Sequence, residues 1–502
     1  MVTITDVILP IFTLIVAALL TIPIFKVIRK SGHKTALSLA WFIVVFAAAA
    51  LTVANLTISY YSVADPSTLN LTLEGTADAA IATSFLIDAL SIYMAIIIVA
   101  VAAVVVVYTV FFVNTADRPT DRYLAIMLLL TGALIGAVLA GDLLTFFIFW
   151  EAATAAAAFL MMYRKNAFSL NATLKYLVMV IIASAFVLLG LSIVYGLTGT
   201  LNYIALRDSI GALVGVDRTL LIISFVFIAA GYAIEAAIVP FHFWLPDAYT
   251  AASAPSAAFL SALVDQGSYY IIIRILLFII LPPSVGGAFD WTLMLAVMAA
   301  LTMIVGNIFA LIQHNIKRMI AYICVADVGY NLIAITSATE LGLAGNMYFF
   351  LIGGLTTALA FMAIGIMNAK GFRTLDDFAG VGKKMPWTSL ALVFAGLSFA
   401  GVPPLGGFMA KYLVFTSAVT VDLTWLAIIG VLTSVLQTAY IFRLVNVMYG
   451  KPAADPKAIL EDKRILIPIF ILVGAIFVFG LFPDLVLQLI NPITSQLPWV
   501  VP

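Results

Sequence analysis

Fourteen apolar runs, each long enough to cross a hydrocarbon layer of about 30 Å, follow one another along the chain. They begin near Val7, Ala36, Ile81, Tyr123, Leu143, Ala172, Thr219, Ser253, Trp291, Arg318, Leu341, Trp387, Leu423 and Ile465. In lipid, backbone amides and carbonyls must be satisfied within the segment, so runs of this length fold as helices. The residues are 64% hydrophobic and only 10% charged, against about 25% charged in a soluble domain. The expectation is an all-α polytopic membrane protein rather than a set of globular domains. The longest stretches between runs, roughly 64–80, 198–218, 371–386 and 450–463, are too short to bury a core. Substrate chemistry, if the protein takes part in any, is therefore expected in a partner. The first run has no basic stretch before it, and Lys26, Arg29 and Lys30 follow it, so it reads as a retained helix and not a signal peptide.

The basic residues test the count of spans. Of 24 Lys and Arg, 20 fall in alternate loops: Lys26 to Lys34, Arg118 and Arg122, Arg164 to Lys175, Lys317 and Arg318, Lys370 to Lys384, and Arg443 to Arg464. The other loops hold only Arg207 and Arg218, while Arg274 and Lys411 lie within spans. A miscounted span would scramble this alternation. The bias predicts an integral protein of the cytoplasmic (inner) membrane, with its basic loops inside and both termini outside. A net charge of zero gives no footprint for nucleic acid. One cysteine, Cys324, and three scattered histidines supply neither a disulfide framework nor a metal cluster.

A charge in mid-membrane costs at least about 2.5–3.5 kcal/mol on insertion scales, so each one found there suggests a use. Glu151 closes Phe146-Phe-Ile-Phe-Trp-Glu151 inside the fifth span. Asp88, Glu235, Asp265, Arg274, Asp327 and Lys411 also fall within apolar runs, with Asp142 and Lys175 nearer the edges. Asp88 can simply cap the third span, Arg274 reads as a structural counter-ion, and Lys175 can snorkel to the basic side. Two spans, the seventh and the twelfth, are broken by proline and glycine: Gly231 to Pro240, continuing to Asp247, and Gly401-Val-Pro-Pro-Leu-Gly-Gly407 with Pro403 and Pro404, leading to Lys411. A proline kink that only improves packing is the plain reading of either break. Paired breaks, each beside an ionisable residue, point instead to inverted repeats around an ion site.

These residues carry a resemblance. Phe146–Glu151, Lys175-Tyr176, Pro240-Phe-His-Phe-Trp-Leu-Pro-Asp-Ala248, Gln313-His-Asn-Ile-Lys-Arg318, Asp327-Val-Gly-Tyr330 and Leu397–Pro404 with Lys411 together resemble the antiporter-like membrane subunits shared by respiratory complex I, Mrp-type cation/proton antiporters and membrane-bound hydrogenases. The resemblance implies two inverted five-helix repeats, spans 4–8 (116–285) and 9–13 (286–450), preceded by spans 1–3 (1–115) and followed by span 14 (451–502). It implies other membrane subunits as partners, surrounding lipids, and movement of protons, sodium ions or both, coupled to electron transfer or to a second ion elsewhere in a complex. The long tail helix of the family's largest subunit is not expected, because the chain stops soon after its last span.

Carried over position by position, Glu151 matches the fifth-span glutamate of the family, Lys175 a common sixth-span lysine, and Lys411 the charged residue after the second break. The chain departs from the pattern elsewhere. Glu235 stands where the seventh span usually has lysine, Asp265 takes the eighth-span lysine position, and Asp327 takes a position often histidine. The eleventh-span His/Lys positions fall on Gly353 and Thr357. Glu151 and Glu235 would then be two carboxylates at one site, expected to share a proton or hold a cation. Two mechanisms stay open: protons relayed along the carboxylates to Lys411, or sodium held by oxygens of Glu235, Asp265 and Asp327. A third reading is a non-pumping linker subunit, and a subunit of an Mrp-type antiporter is a further alternative. The chain has no cysteine cluster, haem-ligand pair or dinucleotide loop, so no cofactor is expected in it, and any oxidoreductase label describes the assembly.

Overall fold

The computed structural model describes residues 3–62, 69–72, 83–113, 118–211, 213–282, 289–452 and 459–498. Lys457 and most of the 64–80 stretch lie outside them. Nineteen helices follow in order: α1 Ile4–Ile28, α2 Lys34–Tyr61, α3 Ala89–Phe112, α4 Arg118–Leu139, α5 Leu143–Met161, α6 Ala167–Thr198, α7 Tyr203–Ile210, α8 Gly215–Glu235, α9 Trp244–Ala251, α10 Ala254–Ile279, α11 Thr292–Ile312, α12 Ile316–Ser337, α13 Glu340–Ala369, α14 Val381–Lys384, α15 Pro386–Ala400, α16 Gly406–Val419, α17 Thr424–Gly450, α18 Lys463–Leu481 and α19 Asp484–Thr494. Among the described residues thirteen helices are long and apolar enough to cross a membrane. The remaining span is shared by the shorter pair α15 and α16, which gives the fourteen of the sequence.

Each span begins within five residues of its apolar run, except the third. There the chain departs from an all-helical expectation. Ser84–Ile87 is a strand, β2, pairing antiparallel with β1, Leu69–Thr72, in the register Leu69 to Ile87 and Thr72 to Ser84. The helix starts only at Ala89, where Asp88 caps it by accepting the Ser91 amide at 2.8 Å while the Ser91 hydroxyl oxygen accepts the Asp88 amide at 3.0 Å.

The two faces of the molecule are told apart by their loops. On one, the Arg29 guanidinium pairs with Asp121 at 2.7 Å, the Ile316 amide donates to the Arg373 carbonyl, Gly380 to Val447, and Ile459 to Lys384. All these contacts join the basic loops to one another. On the opposite face β2 meets Ala140, Asp142 accepts from the Ser84 amide and hydroxyl at 2.8 and 2.9 Å, and the Tyr203 amide donates to the Gly141 carbonyl. Spans four to eight and nine to thirteen each contain five crossings. An odd number makes the second set start on the opposite face from the first. The break falls in the fourth crossing of each set: between α8 and α9, and between α15 and α16.

Both breaks satisfy their backbone from neighbours. After Glu235 the Val239 amide donates to Thr302 of α11 at 3.1 Å, and the freed Ile234 carbonyl accepts from the Trp244 indole at 2.8 Å. At the second break the chain doubles back so closely that a Cβ on Gly407 would collide with the Ser398 carbonyl oxygen. Near the centre, α10, α12 and α13 are almost wholly enclosed, whereas α1, α2 and α6 present most of their surface outward.

Candidate ion pathway

Two of the ionisable groups sit at mid-helix. Glu151 is the ninth residue of α5 and Asp327 the twelfth of α12. Glu235 ends α8, and its carboxylate accepts from the indole N–H of Trp150, the neighbour of Glu151. This bond brings Glu235 to the level of mid-α5. Trp150 is held by stacking on Phe146, which also stacks on Tyr270 and takes the edge of Tyr232. Opposite the indole, a Cβ on Gly267 would overlap the ring, so α10 leaves a notch for it.

Glu151 and Glu235 lie within Coulombic range of one another but share no hydrogen bond. Glu151 is half-buried and accepts instead from the Ser184 hydroxyl of α6 at 2.6 Å. Asp265 follows a π-helical turn, Leu260–Val264, and accepts from the Tyr249 hydroxyl of α9. The carboxylates are linked by shared neighbours. Tyr176 lies in the fields of Glu151, Glu235 and Asp265, while Tyr269 and Cys324 lie in those of both Asp265 and Asp327. Shared neighbours thus link these four carboxyl groups to one another.

Asp327 and Lys411 line one small cavity together with Gly353, Thr356, Ser398 and Gly407. The Lys411 Nζ donates to Gln437 Oε1 at 2.6 Å and Ser434 Oγ at 3.0 Å, and stands 4.2 Å from the Tyr330 ring centroid. Asp327 Oδ1 accepts no hydrogen bond from the protein. Gly353, an eleventh-span position without an ionisable side chain, is part of the wall. Thr357 bonds back to the Gly354 carbonyl at 3.1 Å.

The other candidates are placed elsewhere. Lys175 lies at the basic face, its side chain 62% exposed, paired at 2.6 Å with Asp247, whose other oxygen takes Arg318 at 2.7 Å. Pro240, Pro403 and Pro404 lie in the breaks themselves. Asp88 and Arg274 are a buried bidentate pair, with Arg274 Nε also donating to Tyr270 at 2.9 Å. Glu235, Asp265 and Asp327 do not converge. Among the described residues no three His, Cys, Asp or Glu side chains are close enough together to hold a metal ion. The sequence reading missed Ser184, Ser434 and Gln437, hydroxyl and amide groups on largely apolar helices. It also counted Lys317 as a loop residue. Lys317 is buried, and its Nζ donates to the carbonyls of Ala252 at 2.5 Å and Thr250 at 3.3 Å, capping the end of α9.

Comparison with known proteins follows the same lines. Residues 140–437 match the family model described as the transmembrane region of NADH:quinone oxidoreductase and Mrp antiporter proteins. NADH-quinone oxidoreductase subunit N of Acidithiobacillus ferrooxidans is 35% identical over 71% of this chain and 75% of its own length. F(420)H(2) dehydrogenase subunit N of Methanosarcina mazei is 33% identical over 79% and 82%. Among solved structures, a chain of the membrane-bound sulfane sulfur reductase, an archaeal respiratory membrane complex, superposes with a TM-score of 0.84 at 28% identity, covering 97% of both chains. A chain of the Mrp complex from Dietzia sp. shares the fold with a TM-score of 0.83 at 22% identity, covering 99% of this chain and 98% of its own.

Proposed function

This antiporter-like membrane chain belongs to the NADH:quinone oxidoreductase/Mrp antiporter family, and from that premise we propose that it moves protons along the row from Glu151 and Glu235 through Asp265 and Asp327 to Lys411. It does so as one subunit of a multisubunit oxidoreductase in the cytoplasmic membrane, with the basic face inside, both termini outside, and the redox chemistry in its partners. The functional units are the two repeats, 116–285 and 286–450.

The observation that carries the reading is the Asp327–Lys411 cavity. An ammonium and a carboxylate share one small space, yet Lys411 is bonded to the neutral acceptors Ser434 and Gln437, and one carboxylate oxygen has no donor. Passing one proton from Lys411 Nζ to Asp327 turns a charged pair into two neutral groups. The reverse transfer restores the pair. Groups that can be charged together or neutral together, at low dielectric, have two electrostatic states of different shape, which a relay needs. Upstream, Glu151, Glu235 and Asp265 each accept from one side-chain donor, Ser184, Trp150 and Tyr249 respectively, so each carboxyl keeps an oxygen on which a proton can be placed. The separation of Glu235, Asp265 and Asp327 favours a passing proton over a single caged sodium ion, which needs several oxygens at one point.

The test is ion flux in vesicles holding the whole complex, with proton and sodium gradients followed separately, for the unsubstituted protein and Glu235→Gln. Proton flux should fall on the order of a hundredfold, the scale at which a positioned proton-transfer group acts, with assembly intact. Loss of sodium movement alone would make the carboxylates a sodium path. Unchanged fluxes of both ions would leave a linker subunit.

A further inference from the structure

Where α15 and α18 emerge on the basic face, an open groove lies between them. Its rim carries Lys383, Lys384 and Lys463, and its floor is Trp387, Ile467 and Phe470. We propose that this groove binds one phospholipid with an anionic headgroup, the phosphate on the lysines and an acyl chain along α15 and α18. The assignment does not depend on which ion the row carries.

Charge, apolar surface and depth agree on this occupant. Glu461, the one carboxylate among the described residues that line the groove, is already used. It accepts from the Trp387 and Thr388 amides at 3.1 and 2.8 Å and from the Thr388 hydroxyl at 2.5 Å, capping the start of α15. Among the described residues no salt bridge engages the three lysine ammonium groups, and Lys384 approaches the Phe372 ring at 5.6 Å. The rim therefore keeps a net positive field at the boundary where lipid phosphates lie. Beside it Leu460 is 93% exposed and Trp387 and Ile467 each 56% exposed, apolar surface at a polar margin that an acyl chain and its glycerol end would cover. Below the rim, Trp387 meets Phe470 edge-on and Phe394 meets Phe477 in the same way. Seven residues separate the partners on each helix, about 10 Å of rise. The two pairs form a straight aromatic track leading down from the lysines.

The purified complex, reconstituted in lipid, tests this through the fluorescence of Trp387. Phosphatidylglycerol brominated on its acyl chain should quench the unsubstituted protein more than the Trp387→Phe protein, and brominated phosphatidylcholine at the same mole fraction should remove that difference. Replacing Lys383, Lys384 and Lys463 by Gln should weaken the phosphatidylglycerol effect by roughly fivefold per lysine. Excess inorganic phosphate should leave the quenching unchanged. Equal quenching by both lipids, or no effect of the lysine substitutions, would make the groove ordinary lipid-facing surface. Displacement by phosphate would make it a free-anion site, and absence of quenching by either lipid would mean that a neighbouring subunit fills it. The Trp387→Phe comparison leaves every lysine in place, so it stands even where the triple substitution prevents assembly.

Discussion

The contact between Gly267 and Trp150 ties packing to chemistry through one missing methyl group. The indole N–H donates to Glu235, and the ring occupies the space a Cβ on Gly267 would take. Gly267→Ala is therefore expected to push Trp150 off Glu235. It should cost about 1–3 kcal/mol in stability, as overpacked cores do, and lower proton flux roughly tenfold, the worth of a charge-assisted hydrogen bond at its weaker end. Thermal unfolding and vesicle flux of the same preparation check it. Unchanged flux in a destabilised protein would show that the indole is not needed by Glu235. Glu151, Glu235, Asp265, Asp327 and Lys411 were legible in the sequence because a charge is conspicuous in an apolar run. Their donors were not, since Trp, Tyr and Ser are ordinary membrane residues and nothing in the order of the chain says that Tyr249 faces Asp265 or that Ser184 faces Glu151. Gly353 was read only as the loss of an ionisable side chain. In the structure it is part of the wall around the Asp327–Lys411 cavity.

At the scale of elements, the eight residues of α9 matter more than their length suggests. They carry Tyr249, which donates to Asp265, and Asp247, which pairs with Lys175 and Arg318. A helix this short is marginal alone and must be held by its surroundings. Lys317 does this by donating to the Thr250 and Ala252 carbonyls at its end. Because Lys317 opens α12, the helix that also bears Asp327, it joins the two sets of helices. Lys317→Met should free those two carbonyls, loosen the Tyr249–Asp265 bond and reduce proton flux about tenfold, while the melting temperature falls by a few degrees, as expected for the loss of its two charged hydrogen bonds. A fall in melting temperature with full flux would limit Lys317 to packing. Proline and glycine made both helix breaks legible. The strand at Ser84–Ile87 was not, because Ser-Phe-Leu-Ile runs without a seam into the apolar α3 and hydropathy does not distinguish strand from helix there. The available signal was local: Asp88 and Ser91, three residues apart, are a helix-start pair.

For the whole molecule, the alternation of basic loops is a statement about sidedness, and the loops do associate into one face. It follows that a cysteine placed at Lys451, exposed in a basic loop, should react with a membrane-impermeant maleimide only from the cytoplasmic side, and one at Val216, 75% exposed at the start of α8, only from the outside. Reversed labelling would invert the orientation proposed here. The native chain gives a quiet background for this measurement, since its single thiol, Cys324, is enclosed. That enclosure has a further use. Cys324 lies in the electric fields of both Asp265 and Asp327, where the two sets of helices meet. Its S–H stretch absorbs in a window of the infrared spectrum that other protein groups leave almost empty, and its frequency shifts with the local field. The protein thus carries its own vibrational voltmeter at the joint between its halves, able to register the charge state of either neighbour without a label and without altering a residue.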